Sequence, residues 1–375
     1  MQQGMKLHQH ENQHDNPDHS PHHRALHLAD LFAQVPIYVL ASGLFVLCMA
    51  IMLGQGITFS PALVIGSATL YLKSIFLVVL VDSTWALIRH RPEKPTAYLL
   101  HRYTNPALRL MARLPLFFVI IAFMPIFSRM KSMIPLFNPY SWDATFIAWD
   151  RAIFGTDAWI VLQPLLGYPI ITSALSMLYH AWMLLIYPGT LFLLFYSASD
   201  SIRHRYFLCF VLIWTVLGIA MATSLASVGP CFLEPILGDP HFAAQMAYLN
   251  AANEIYPVLV LHVQGLLLDW YNNMDYGLGC GITAMPSMHV SMAFLFYLAI
   301  RHVSRWAGWF FFVFFLITWA ASVHLAYHYA VDGLVSVVAT WILWVASKYI
   351  LDIWEKFSAR FLTRPAPKQP DTATA

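Results

Sequence analysis

Residues 281–290 read GITAMPSMHV, residues 324–332 read HLAYHYAVD, and between them lies the apolar run WAGWFFFVFFLITWAASV at 306–323. As a helix that run is long enough to cross the hydrocarbon core of a bilayer, about 30 Å thick. If His289 opens one crossing and His328 and Asp332 open another, with 306–323 between them, all three polar groups come to one membrane face. The four-residue step from His328 to Asp332 also puts both on one side of a helix.

Composition supports a membrane setting. The 375-residue chain is 59% apolar and only 11% charged, with mean hydropathy +0.60, whereas a soluble domain carries roughly 25% charged residues. So little charge would not cover a soluble surface of this size. A formal charge of +2 gives no reason to expect a nucleic-acid partner. The 22 prolines and 17 glycines lie partly within apolar segments, which predicts kinked rather than straight crossings. No internal repeat is visible, and the expected class is an all-α integral membrane protein.

Working outward, hydropathy predicts crossings near 35–57, 61–88, 114–128, 168–197, 206–227, 288–302, 307–325 and 329–352. Basic groups cluster between Arg89 and Arg113, at Arg203–Arg205, at Arg301–Arg305 and at Lys348, Lys356 and Arg360. Eight crossings place all four clusters on the cytoplasmic side, and the long 228–286 connection then falls outside with the three polar groups. Residues 253–273 read as an amphipathic helix lying over the bundle. Trp142 and Trp149 mark an interfacial segment on the outer face. The expected organisation is a tail at 1–34, two added crossings and a basic linker at 35–109, a six-helix unit at 110–352 and a cytoplasmic tail at 353–375. The first tail carries His8, His10, His14, His19, His22 and His23; it has no apolar face to order it and no signal-peptide pattern, and metal capture by its imidazoles is the alternative to plain disorder.

Imidazole next to carboxylate points to group transfer. A neutral ring can attack phosphorus, and its cationic adduct can hand the group on. An Asp332 carboxylate accepting one ring N–H of His328 would leave the other nitrogen as the attacking lone pair. His289 could protonate the departing oxygen and later deprotonate an incoming one. Ser287 and the amides at the start of the His289 helix are candidate phosphate donors. Arg151, Arg129 and Lys131 are candidate phosphate-binding cations, Arg151 foremost, with lipid headgroups or the acidic outer loop as their alternative partners. His324 lies one turn before His328 and reads as an interfacial or supporting group, and Tyr329 is the remaining substrate-side candidate. The set has no close-spaced metal motif, so neither metal nor other cofactor is expected. A transporter with polar groups on its path is the non-enzymatic alternative.

Gly281-x-x-Ala284-x-Pro286-Ser287-x-His289 and His328-Tyr329-x-x-Asp332 resemble the motifs of the type 2 phosphatidic acid phosphatase (PAP2) superfamily of lipid phosphate phosphatases and phosphotransferases. The similarity covers about residues 110–350. It implies a six-helix catalytic core with His328 as nucleophile, His289 as acid and base, and Asp332 orienting the nucleophile. The common phosphatase form begins its last motif with Ser-Arg, and here those positions are Ala321 and Ser322. No clear Lys-x6-Arg-Pro motif is present either. Among the branches, the chain is more similar to inositol phosphorylceramide synthase, which uses a His-Tyr-x-x-Asp ending. That branch implies transfer of inositol phosphate from phosphatidylinositol to a lipid hydroxyl such as that of ceramide. Hydrolysis of phosphatidate or polyprenyl pyrophosphate, and lipid carriage without chemistry, are the alternatives. The expected partners are therefore a membrane phospholipid or isoprenoid phosphate and a hydroxyl acceptor or water.

Of the four cysteines, Cys48 and Cys209 fall inside predicted crossings. Cys231 and Cys280 stand at the two ends of the outer connection, where they pair as a disulfide if that compartment is oxidising or else remain two buried thiols without mutual contact.

Overall fold

The computed structural model describes residues 31–58, 60–104, 107–196, 199–274 and 277–362, without the side chains of 104, 107–112, 196, 361 and 362. The His-rich run from His8 to His23 and residues 363–375 of the C-terminal tail lie outside the described residues. Among the described residues every regular element is helical. The chain begins with α1 (Val35–Gly54) and α2 (Pro61–His90), followed by the short α3 (Pro95–Thr104) and by α4 (Ala107–Ser132). Two amphipathic helices, α5 (Asp143–Phe154) and α6 (Ala158–Leu166), lead to α7 (Pro169–Phe195) and α8 (Asp200–Ser224). The long connection folds as α9 (Pro230–Leu237), α10 (Ala243–Asn253) and α11 (Leu259–Asn272). The chain then makes α12 (Met288–Ile300), α13 (Arg305–His324) and α14 (Ala330–Leu362).

Seven described helices are long and apolar enough to cross a membrane: α1, α2, α4 from Arg113, α7, α8, α13 and α14. The eighth predicted crossing, α12, is apolar but only 13 residues long. These properties are consistent with an integral membrane protein. Local chemistry explains where the helices start. Ser199, Ser287 and Ser304 each accept an amide three residues on, satisfying a donor that the helix itself leaves bare. Pro61, Pro169 and Pro230 occupy first-turn positions where no N–H is needed.

Ser199 also corrects the expected basic turn at Arg203–Arg205. With the helix capped at Ser199, those residues fall inside α8. Arg203 is fully buried and pairs with Asp200 at 2.5 Å, and Arg205 donates to the Trp344 carbonyl at 2.7 Å while lying over its ring. The last helix likewise continues past 352 to Leu362.

Apolar packing falls into two main clusters. The larger joins α1, α2, α4, α7, α8, α12, α13 and α14 around Phe127, Trp214 and Phe210, with Ile37, Met52 and Tyr71 as inward residues of α1 and α2. The other gathers α5, α9, α10, α11 and the α13–α14 turn around Phe146, Phe232 and Tyr329. By contrast α1 and α2 leave Val39, Val46, Ile65 and Phe76 about two-thirds exposed, a surface that suits lipid rather than water.

Candidate active site

The first amides of α14 are orphan donors of the kind every helix start presents. Here α5 supplies acceptors from far along the chain: Asp150 takes the Ala330 and Val331 N–H groups at 2.8 and 2.9 Å. Two turns earlier on α5, Asp143 accepts the Gly229 amide at 2.9 Å, the Val228 amide at 3.1 Å and the Tyr329 hydroxyl at 2.8 Å. Burial holds both carboxyls above the ordinary carboxylate range, an effect that these donors partly offset. The backbone on both sides of His328 is thus held by acids from another helix.

His328 Nδ1–H donates to Asp332 Oδ2 at 3.1 Å, and both groups are buried. The same oxygen accepts the Tyr329 amide at 3.0 Å. With the Nδ1 proton donated to the carboxylate, Nε2 of His328 keeps its lone pair. The turn before it is closed by the Ser322 carbonyl, which accepts from Tyr327 N and His328 N. Ala326 sits there with φ 63°, a left-handed conformation that is costly for a residue bearing a Cβ.

His289 enters as the second residue of α12, behind the Ser287 cap. Its ring centroid lies 6.3 Å from that of His328. Ser336 joins the two helix starts, donating to the Ser287 and Asp332 carbonyls at 3.0 and 2.6 Å. Tyr179 stacks on His289 at 4.3 Å and Trp182 approaches it at 4.2 Å, so the His289 ring is held by the packing of α7. Lys131 and His180 lie within electrostatic reach of the His289 ring. Gly281 makes the Lys131 approach close: its φ is +89°, and a Cβ there would fall 2.7 Å from the Lys131 carbonyl carbon.

His289, His328 and Asp332 therefore meet at one end of the bundle, with Lys131 beside them. The Ser287 hydroxyl is buried and occupied with capping Val290 N. Arg129 lies near the Cys280 end of the outer connection. Arg151 is half exposed and its guanidinium is bonded to Asp157 at 2.7 Å. His241 also reaches Asp157, at 3.0 Å. Burial raises the Asp157 carboxyl, but Arg151 and His241 together hold it below the usual range. His324 is almost fully buried and joins the Thr172 hydroxyl at 2.9 Å, which in turn meets Tyr248 at 2.6 Å. The Tyr329 hydroxyl is committed to Asp143.

The expected disulfide is corrected: Cys231 and Cys280 are both free thiols. Cys280 is directed at the Ser128 carbonyl, 3.4 Å away on α4, whereas Cys231 is buried at the start of α9, where its amide bonds to Ala326. The ends of the connection are pinned to different helices, so closeness to its two ends in sequence does not bring the sulfurs together. Sequence reasoning also passed over Asp143, Asp150, Tyr179, Trp182 and Tyr327. The seven-residue step between the two aspartates, two helical turns on one face, was the available signal for the first pair. Among the described residues no group of three or more His, Cys, Asp or Glu is placed to hold a metal ion.

With ring centroids 6.3 Å apart, the two imidazoles are near enough for one phosphoryl group to meet both. A phosphorus centre there would face His328 on one side and present its leaving oxygen to His289 on the other. A family model described as the PAP2 superfamily matches residues 144–346, more than half of the chain. No curated protein and no solved structure matches it.

Proposed function

The chain belongs to the PAP2 superfamily, which supports an enzymatic phosphatase or phosphotransferase role in the membrane, and from that premise we propose a two-step transfer through a phosphohistidine on His328. The observation that carries this reading is the buried His328–Asp332 pair at 3.1 Å, with the His289 ring centroid 6.3 Å from that of His328. In the first step the Nε2 lone pair of His328 forms a bond to phosphorus, the bond from phosphorus to the lipid oxygen breaks, and His289 protonates the departing alkoxide. In the second step a hydroxyl oxygen of water or an acceptor attacks phosphorus. Its proton goes to His289, and the N–P bond pair returns to His328. Asp332 stabilises the cationic adduct in between. Lys131 is the cation best placed to balance the phosphoryl oxygens, and Arg129 is a second candidate at the end of the same helix.

The finer reading is inositol-phosphate transfer from phosphatidylinositol to a lipid hydroxyl. Ser322, standing where the common phosphatase form has arginine, favours it. The same reading takes α4, α7, α8, α12, α13 and α14 as a six-crossing core, α1 and α2 as additions, and the site as extracytoplasmic, because the basic clusters then share the opposite face. No metal takes part in either step.

The test is rapid quench of purified protein with lipid labelled at phosphorus. An acid-labile adduct is expected in the wild type and none in His328→Ala, with turnover unaffected by a stringent chelator. Full turnover by the alanine variant would remove His328 from the role. Recovery of lost activity with stoichiometric zinc or magnesium would replace the mechanism with a metal-dependent one.

A further inference from the structure

Three buried hydrogen-bond donors around and beneath His289 have no acceptor: the Tyr179 hydroxyl and the indole N–H groups of Trp182 and Trp214. All three residues are more than nine-tenths buried, at 3%, 8% and 2% exposure. They are contiguous: Tyr179 and Trp182 both pack on His289, and Trp182 meets Trp214 at 6.4 Å. One sealed donor without a partner costs stability, and native proteins keep few of them. Three in one file, beginning at the leaving-group histidine, form a row of unanswered donors. An indole N–H can only donate, so what is missing is an oxygen acceptor.

The backbone around the file is built to yield. Trp182 stands just before a π-helical segment at Leu185–Gly189, which contains Pro188, and Trp214 lies inside a second one at Ile213–Met221. Such segments are rare and recur at functional sites. Gly218 of the second segment brings that helix against Phe127 and the sulfur of Met288, the residue before His289. Two irregular helices therefore flank the same three donors.

We propose that Tyr179, Trp182 and Trp214 form a subsite for the carbonyl oxygens of an acyl lipid, entered when its phosphate reaches His328. This rests on the two-step reading above and narrows it. A lipid whose alcohol carries acyl esters brings acceptors just beyond its phosphate, as phosphatidylinositol and phosphatidate do. A polyprenyl phosphate has hydrocarbon there, so its entry would leave the donors unanswered. The file is uncharged, which suits neutral carbonyls at a depth where extra cations would be costly.

The experiment compares diacyl and dialkyl ether forms of phosphatidylinositol and of phosphatidate, with a polyprenyl diphosphate as third class, in one detergent. Replacing the esters by ethers is expected to lower kcat/KM about tenfold for each hydrogen bond lost. Trp214→Phe, whose ring does not contact His289, should lower turnover of the diacyl forms by a similar factor and of the ether forms by no more than about threefold. Tyr179→Phe and Trp182→Phe, whose rings pack on His289, should slow both but the diacyl forms about tenfold more. That pair gives a second readout should Trp214→Phe fold poorly. Equal losses on ester and ether forms, or polyprenyl diphosphate turned over as well as the diacyl lipids, overturn the proposal. Native mass spectrometry of bound diacyl and dialkyl lipid separates this from the chemistry. An ester preference that Trp182→Phe abolishes sustains the subsite even in a protein that turns over none of the lipids, whereas no ester preference in binding removes the subsite and leaves the histidine mechanism standing.

Discussion

The α1–α2 pair and the start of α14 handle polar groups in different ways. In α1 and α2 hydroxyls such as Ser74 and Thr69 fold back on their own helix, to Leu70 and Ile65, while Ser67 reaches Ile121 and Ser83 meets the Tyr103 hydroxyl of the next helix. Around α14 the ties run across the chain: Asp150 to Ala330 and Val331, Asp143 to Tyr329 and Gly229, Ser336 to Ser287. Back-bonding satisfies a hydroxyl in lipid without fixing anything else. A bond between distant segments fixes a geometry, and such bonds gather where a geometry is used.

The widest contrast should appear between His328→Ala and Ser67→Ala. The first is expected to reduce turnover by at least about 10⁴-fold with folding retained. The second should leave turnover within about twofold and lower stability by about 1 kcal/mol, read by lipid turnover and thermal unfolding in detergent. Equal loss in both would dissolve the distinction between the regions. Asp332→Asn comes next, with kcat down by about 10²–10³-fold and KM little changed. The amide can still hydrogen-bond His328 but no longer balances its cationic adduct.

Asp150→Ala probes the cross-chain ties themselves. It leaves two buried amides without an acceptor and is expected to lower stability by about 3 kcal/mol; a melting temperature within error of wild type would show that water replaces the carboxylate. Smallest is Asp157→Asn. The wild-type carboxyl is held below its unfolded pKa of about 3.9, so its contribution is present above that pH and is lost as pH falls through the depressed folded value. Arg151 is exposed, and solvent screening keeps the effect small. Thermal unfolding of wild type and variant should differ slightly at pH 6 and converge near pH 2; a difference that grew on acidification would reverse the assigned sign.

The parts of this structure legible in the sequence were those with a local signature. Apolar runs marked the long helices, and the four-residue step placed Asp332 on the face of His328. The Ser caps at Ser199 and Ser304 were equally local but went unread, which is why Arg203–Arg205 was placed between two crossings rather than inside α8. The Asp150 tie was not legible, because its partners are backbone amides 180 residues away, and any residue could have supplied them. Arg151 drew attention as a cation in an aromatic segment, yet Asp157, six residues on, was already there to occupy it. Tyr179 and Trp182 read as ordinary residues of an apolar helix, since only the fold turns them toward His289.

The tie between α5 and α14 also has a consequence for how the protein is made. At about 5–20 residues per second, the ribosome delivers Ala330 some 10–40 s after Asp150. Until then Asp150 lacks the Ala330 and Val331 amides and Asp143 lacks the Tyr329 hydroxyl. His328 stands two residues before α14, so both it and the amides that Asp150 accepts are made long after α5. A chain made only as far as α13 therefore lacks both the His328–Asp332 pair and the acids' partners around it, and the proposed site can assemble only once α14 has been made.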